Sequence, residues 1–92
     1  MRIRWTQPAV SDLTAICDYL ETHKTPAFAE TVAHAIPGAA CSLAHLAKQG
    51  RPGREPDTRE MAIQKHPHIS VYAQRAGTVE ILRVPHTSRQ WP

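Results

Sequence analysis

The 92-residue sequence predicts an α+β fold, an antiparallel sheet with a helical hairpin packed on one face, its elements arranged β-α-α-β-β-β along the chain. Three observations predict it. Residues 2–6 alternate polar and apolar side chains. Two stretches that open on a threonine with a proline close behind it repeat apolar residues at helical spacing. Three short strand-like runs separated by turn signals then close the chain.

Ile3 and Trp5 fall on one side of the first strand and Arg2, Arg4 and Thr6 on the other, as a half-buried strand requires. Thr6 can cap a helix whose second residue is Pro8, where a missing backbone N–H costs nothing. Val10, Leu13, Ile16, Cys17 and Leu20 form its apolar stripe, with Ser11, Asp12, Asp18 and Glu21 off it, so the helix spans about 7–22.

Thr25-Pro26 repeats the cap-then-proline signal. Phe28, Val32, Ile36, Ala39, Leu43 and Leu46 follow in steps of three and four, giving a second helix antiparallel to the first. Pro37-Gly38 interrupts it, removing a hydrogen bond and clashing with the preceding turn at about 3 kcal/mol. A kink over 33–38 is expected.

The Gly, Pro and Arg of 49–57 read as a surface loop. Strands are expected over 58–64, 69–74 and 78–85, turning at His66-Pro67 and Arg75-Ala76-Gly77 in a meander. In the last strand Val79 and Ile81 point one way and Leu82 and Val84 the other, as in a central strand covered on both faces. Pro85 ends its pairing. The whole chain, 1–92, reads as one domain with one thin core.

The net charge of +3 is divided unevenly. Residues 1–47 carry three Lys/Arg against four acids, and residues 48–92 carry eight against four. The first half is therefore at −1 and the second at +4, which suits an anionic partner at the C-terminal half or, equally, a solvated basic face. Cys17 and Cys41 lie near apolar helix faces and read as small buried hydrophobes, not as a disulfide. Of six histidines only His66 and His68 are close in sequence, and no zinc spacing completes them, so neither metal nor cofactor is expected. No apolar signal-peptide core and no membrane-length apolar run is present, and the cytoplasm is the expected compartment.

Ile3-Arg4-Trp5-Thr6 with Ala9, Asp12-Leu13 and Ile16, the loop Gly50-Arg51-Pro52-Gly53-Arg54, Thr58-Arg59-Glu60, and Val79-Glu80-Ile81-Leu82-Arg83-Val84 with His86 and Arg89-Gln90-Trp91-Pro92 occur in that order. This series resembles the RelE/ParE toxin superfamily, closer to its ParE branch, over nearly the whole chain. The closing segment is the specific part. The sequence departs from the ParE-like pattern at Pro37, inside a helix that normally runs through, at Pro85, where a large apolar residue is usual, and at His68, where an aromatic is usual.

The resemblance implies a toxin of a type II toxin–antitoxin pair, neutralised by a cognate antitoxin. ParE-like members poison DNA gyrase by binding, whereas RelE-like members cleave messenger RNA on the ribosome, so fold alone does not choose. Cleavage by a ribose 2′-hydroxyl needs a base, an acid for the leaving oxygen and cations on the phosphate. The available candidates are Glu60 or His86 as the base, and Arg59, Arg83 and Arg89 as phosphate holders. Arg59 and Glu60, adjacent on a strand, should face opposite ways. RelE-type nucleases commonly end in a His or Arg beside a Tyr, whereas here Thr87 and Ser88 follow His86 and no tyrosine occurs after Tyr72. The preferred reading is a gyrase poison with no catalytic residues, using Arg83, His86, Arg89 and Trp91 to contact its target. An inactive module that binds only antitoxin is a third reading.

The antitoxin of this family folds a disordered tail around the toxin, and an acidic tail suits a basic half. Arg51 and Arg54, with Leu82 and Val84 on the uncovered sheet face, are the expected antitoxin contacts. Direct nucleic-acid binding is left open, and no membrane is expected as a partner.

Overall fold

The computed structural model describes residues 1–87. Strand β1 (Arg2–Trp5) leads into helix α1 (Gln7–His23) and helix α2 (Pro26–Ser42). Strands β2 (Arg51–Pro52), β3 (Arg59–Ala62), β4 (Ile69–Arg75) and β5 (Thr78–Arg83) follow. They form one five-stranded sheet in the order β1-β5-β4-β3-β2.

Both helices begin as their sequences predict. The Thr6 hydroxyl accepts the Ala9 N–H at 3.3 Å, the Thr25 hydroxyl accepts the Phe28 N–H at 3.1 Å, and a proline occupies the first turn of each. Helix α2 is continuous from Pro26 to Ser42 with Pro37 inside it, so the proline does not end the helix. The apolar stripe of α2 is narrower than its spacing suggests. Ala29, Val32, Ile36 and Ala40 are buried, while Phe28, at its first turn, and Leu46, beyond its end, are exposed, as is Val10 on α1. Cys17 is half-buried and Cys41 exposed, and both are free thiols, so Cys41 is not the buried hydrophobe expected.

The sheet is mixed, not antiparallel throughout. β3, β4 and β5 form the expected meander, but β1 pairs in parallel with β5, Ile3 opposite Val79 and Trp5 opposite Ile81. The hairpin of helices returns the chain so that its first strand lies beside its last. A second difference lies in the 49–57 loop, where Arg51 and Pro52 pair with Glu60 and Arg59 as a two-residue edge strand. Proline is tolerated there because, among the described residues, only one edge of β2 is paired.

The β4–β5 turn is the two-residue loop Ala76–Gly77, and both residues have positive φ, 47° and 77°. Such a turn matches the right-handed twist of the strands it joins, and glycine takes the second position without steric cost.

A bulge in β5 decides which residues reach the core. Tyr72 faces Ile81, but the next residue on β4, Val71, faces Arg83, so β5 holds one extra residue, Leu82. An extra residue reverses the inward–outward alternation beyond it. Val79, Ile81 and Val84 consequently share one core cluster with Val32, Ile36 and Tyr72, with Ile3 and Trp5 packed against it. The expected division, Val79 and Ile81 on one face against Val84 on the other, is therefore corrected. On the face turned away from the helices, Glu80 lies between Arg4 and Arg75 and pairs with both, with Arg75 Nη1 3.6 Å from its Oε1.

Candidate functional site

Two neighbourhoods collect the residues singled out in the sequence. The first is the end of β5. Where β1 stops at Trp5, α1 takes the place of a strand beside β5. The Thr6 N–H and hydroxyl both donate to the Ile81 carbonyl, at 3.1 and 2.9 Å. One and a half turns on, the Asp12 carboxylate receives three donors: Arg83 Nε at 2.7 Å, Arg83 Nη2 at 3.0 Å and the Val84 N–H at 2.9 Å. Arg83 is thus held bidentately at the site where a target contact is expected, with its side chain 44% exposed and Asp12 at 19%. The hydrogen bond to Asp12 is the main influence raising the guanidinium pKa above its ordinary value.

Beyond β5 the chain stays attached to β4. The Ile69 N–H donates to the Pro85 carbonyl at 3.1 Å and the Thr87 N–H to the Pro67 carbonyl at 2.8 Å, flanking an antiparallel bridge between His68 and His86. The two imidazoles meet edge to face, centroids 5.4 Å apart. His68 is buried, its Nδ1 makes no hydrogen bond, and its pKa is lowered from the usual value, first by burial and then by His86 and His66. Leu82 is half-buried, whereas Val84 is 3% exposed and belongs to the core, so Val84 presents no surface to a partner. Arg89 and Trp91 lie outside the described residues.

The second neighbourhood is a cleft of about 590 Å³ lined by Gln49, Gly50, Arg51, Arg54, Glu60, Met61, Ala62, Ile69 and Thr87. Glu60, 5% exposed, is its anchor: it accepts from Arg51 Nη2 at 3.1 Å and from the Arg54 N–H at 3.2 Å. The loop that carries these arginines is pinned from below by Tyr72. Its hydroxyl donates to the Ala47 carbonyl at 2.8 Å and accepts the Gly50 N–H at 2.9 Å. A side chain at residue 50 would place its Cβ 2.6 Å from that hydroxyl, so only glycine fits.

Arg59 points the other way from Glu60, as strand alternation predicts, and donates to the Gly50 carbonyl at 2.8 Å. The four nuclease candidates among the described residues therefore have four different surroundings. Arg59 is engaged by backbone carbonyls, Glu60 by Arg51, Arg83 by Asp12, and His86 by the His68 ring. Among the described residues no group of three or more His, Cys, Asp or Glu could hold a metal ion, and no helix is long and apolar enough to cross a membrane. Asp12 was not singled out as a site residue from sequence. It stands off the apolar stripe of α1, and nothing local links it to an arginine 71 residues away.

The sheet, the hairpin and their connections are those of a small α+β toxin. The chain superposes on a solved structure, "Chromosomal ParDE TA system from P. aeruginosa", with a TM-score of 0.87 and 27% identity, covering 94% of this chain and 95% of that one. Among curated proteins it is 42% identical to "Putative toxin Y4kP" of Sinorhizobium fredii, over 99% of this chain and 93% of the relative. It is 34% identical to "Toxin RelE2" of Caulobacter vibrioides, over 96% and 97%. The family described as the ParE toxin of type II toxin–antitoxin system, parDE, matches residues 3–91. The chain belongs to this ParE toxin family.

Proposed function

We propose that this toxin arrests DNA gyrase by binding it, with Arg83 and His86 at the end of β5 and Arg89 and Trp91 beyond them as contacts, and that a cognate antitoxin neutralises it in the cytoplasm. The observation that carries the reading is the dispersal of the nuclease candidates. A base, an acid and a phosphate-holding cation must converge within hydrogen-bond reach of one phosphodiester. Arg59 and Glu60 face opposite ways, with Arg59 held by the Gly50 carbonyl and Glu60 by Arg51. ParE family membership supports the same reading, and the ParDE description of the solved relative supports an antitoxin partner.

The relative named RelE2 makes messenger cleavage the reading to test against. The purified protein should inhibit supercoiling by gyrase and should leave ribosome-bound messenger intact. Cleavage that depends on His86 or Arg83 would overturn the proposal, and inactivity in both assays would mark a chain that only binds antitoxin.

A further inference from the structure

Charge in this molecule is divided by layer more sharply than by sequence half. The segment 7–42, which holds both helices, carries Lys24 against Asp12, Asp18, Glu21 and Glu30, a net −3. The rest of the chain carries ten Lys/Arg against four acids, a net +6. Parallel pairing completes the division, because it carries β1 out of the acidic half of the sequence to the side of β5 and so adds Arg2 and Arg4 to the basic sheet. On the face turned away from the helices, Arg2 lies beside Thr78, Arg4 beside Glu80, and Arg75 across from Thr78. Arg4 and Arg75 flank Glu80 from strands two spacings, about 10 Å, apart. Their side chains are 62% and 64% exposed and the carboxylate 18%, so the guanidiniums stand in solvent with the acid low between them.

We infer that this arginine face binds the phosphate backbone of duplex DNA, with Arg2, Arg4 and Arg75 as the phosphate contacts. The source of the DNA rests on the gyrase reading above: it is the duplex that the target enzyme holds. Charge alone admits any polyanion, and two further features choose the duplex. The residues of the patch include no aromatic ring, whereas single strands are held largely by stacking on such rings. A duplex needs no stacking platform and presents one phosphate charge for about every 1.7 Å of its axis. The same duplex repels the acidic helix layer, so the molecule is turned sheet-first toward it. Guanidinium-to-phosphate contacts of this kind read no base sequence. The patch lies toward the β4–β5 turn, and Arg83 ends β5 about 17 Å further along the strand. One toxin can therefore touch the enzyme with one end of its sheet and the enzyme's DNA with the other.

The full chain is titrated with a labelled duplex of about 20 base pairs, a single-stranded oligothymidine of the same length and a capped oligoglutamate, between about 50 and 200 mM salt. The duplex should bind most tightly, and log K should fall against log salt with a slope of about −2.7, as three phosphate contacts require. Arg2→Gln with Arg75→Gln should bring the slope to about −0.9 and weaken binding at least roughly tenfold. Lys24→Gln, which removes a positive charge from the end of α1, should change affinity by less than about twofold. If the double variant fails to fold, Arg75→Gln alone, with a slope of about −1.8, decides the matter. No binding of the duplex, equal binding of the single strand or the oligoglutamate, or an unchanged slope in the arginine variants would overturn the inference. In a supercoiling assay the double variant should be needed at higher concentration than the unsubstituted chain, and Lys24→Gln should not. If the double variant inhibits gyrase equally well, the DNA contact fails while the gyrase reading stands. If the unsubstituted chain binds the duplex with the stated slope but leaves gyrase active, it is the gyrase reading that fails.

Discussion

Asp12 and Arg83, 71 residues apart, form a bidentate pair in which the same carboxylate also takes the Val84 N–H. The pair fastens α1 to the end of β5, where the chain passes from Arg83 to Val84. Removing the carboxylate leaves a half-buried guanidinium and a backbone N–H without their acceptor. Asp12→Ala should therefore lose about 1–3 kcal/mol of stability, and Asp12→Asn, which keeps one acceptor oxygen, less. Thermal unfolding checks this, with a fall of roughly 4–8 °C for each kcal/mol in a domain of this size. An unchanged melting temperature in Asp12→Ala would mean that the pair holds nothing together.

Tyr72 ties the loop after α2 to the middle of the sheet through two buried hydrogen bonds. Tyr72→Phe leaves the Gly50 N–H and the Ala47 carbonyl unsatisfied and should cost about 1–3 kcal/mol. Gly50→Ala should cost at least as much, because its Cβ meets both the Tyr72 hydroxyl and the Glu60 carbonyl oxygen at under 3 Å. Denaturant midpoints at unchanged slope would report both losses.

His68 gives stability a pH dependence of known sign. Its pKa is lowered in the folded state, by burial and by two neighbouring imidazoles, so the folded protein binds its proton less readily than the unfolded chain. The contribution is complete above about 6.5 and declines as pH falls from there toward the folded value. His68→Phe should remove this decline while keeping the ring that packs against His86. The unfolding free energy of both proteins, followed from pH 7.5 to about 5, tests it: parallel curves would clear His68 of the effect.

The bulge makes a sharper demand. Inserting one alanine after Leu82 would turn Arg83 inward and Val84 outward, and should prevent folding. Deleting Leu82, by contrast, leaves Ile81 inward, Arg83 outward and Val84 inward by simple alternation, and should be tolerated. A folded insertion variant with native chemical shifts would show that register is not fixed there.

Loss of residues 88–92 should abolish growth arrest and leave antitoxin binding largely intact. This follows from the basic and aromatic character of Arg89 and Trp91 in the sequence. Growth arrest by the truncated chain would overturn the proposed role of Arg89 and Trp91.

Local signals carried most of the fold into the sequence. Thr6 and Thr25 with their prolines announced both helices, and Ala76-Gly77 announced the last hairpin, because caps and tight turns depend on a few adjacent residues. What escaped depends on distant partners. The parallel pairing of β1 with β5 leaves no mark in either strand, and the bulge at Leu82 shows only when β4 is laid beside β5. Val84 was misplaced for that reason. At the candidate site, Arg51, Arg54 and Glu60 were visible as residue types, but the cleft they share is a product of β2–β3 pairing. The exposure of Phe28 and Leu46 escaped because spacing fixes a helix face and neither which part of it is covered nor where the helix stops, and Leu46 lies beyond the end of α2.

The parallel seam between the first and last strands also sets a schedule. On the ribosome β1 emerges early and waits for β5, whose pairing with it spans nearly the full chain, the kind of long-range contact that forms late. Until then Ile3 and Trp5 have no strand to lie beside, and the Asp12–Arg83 clasp cannot close. The end of β5, proposed to contact gyrase, therefore takes shape only after β5 has emerged and paired with β1.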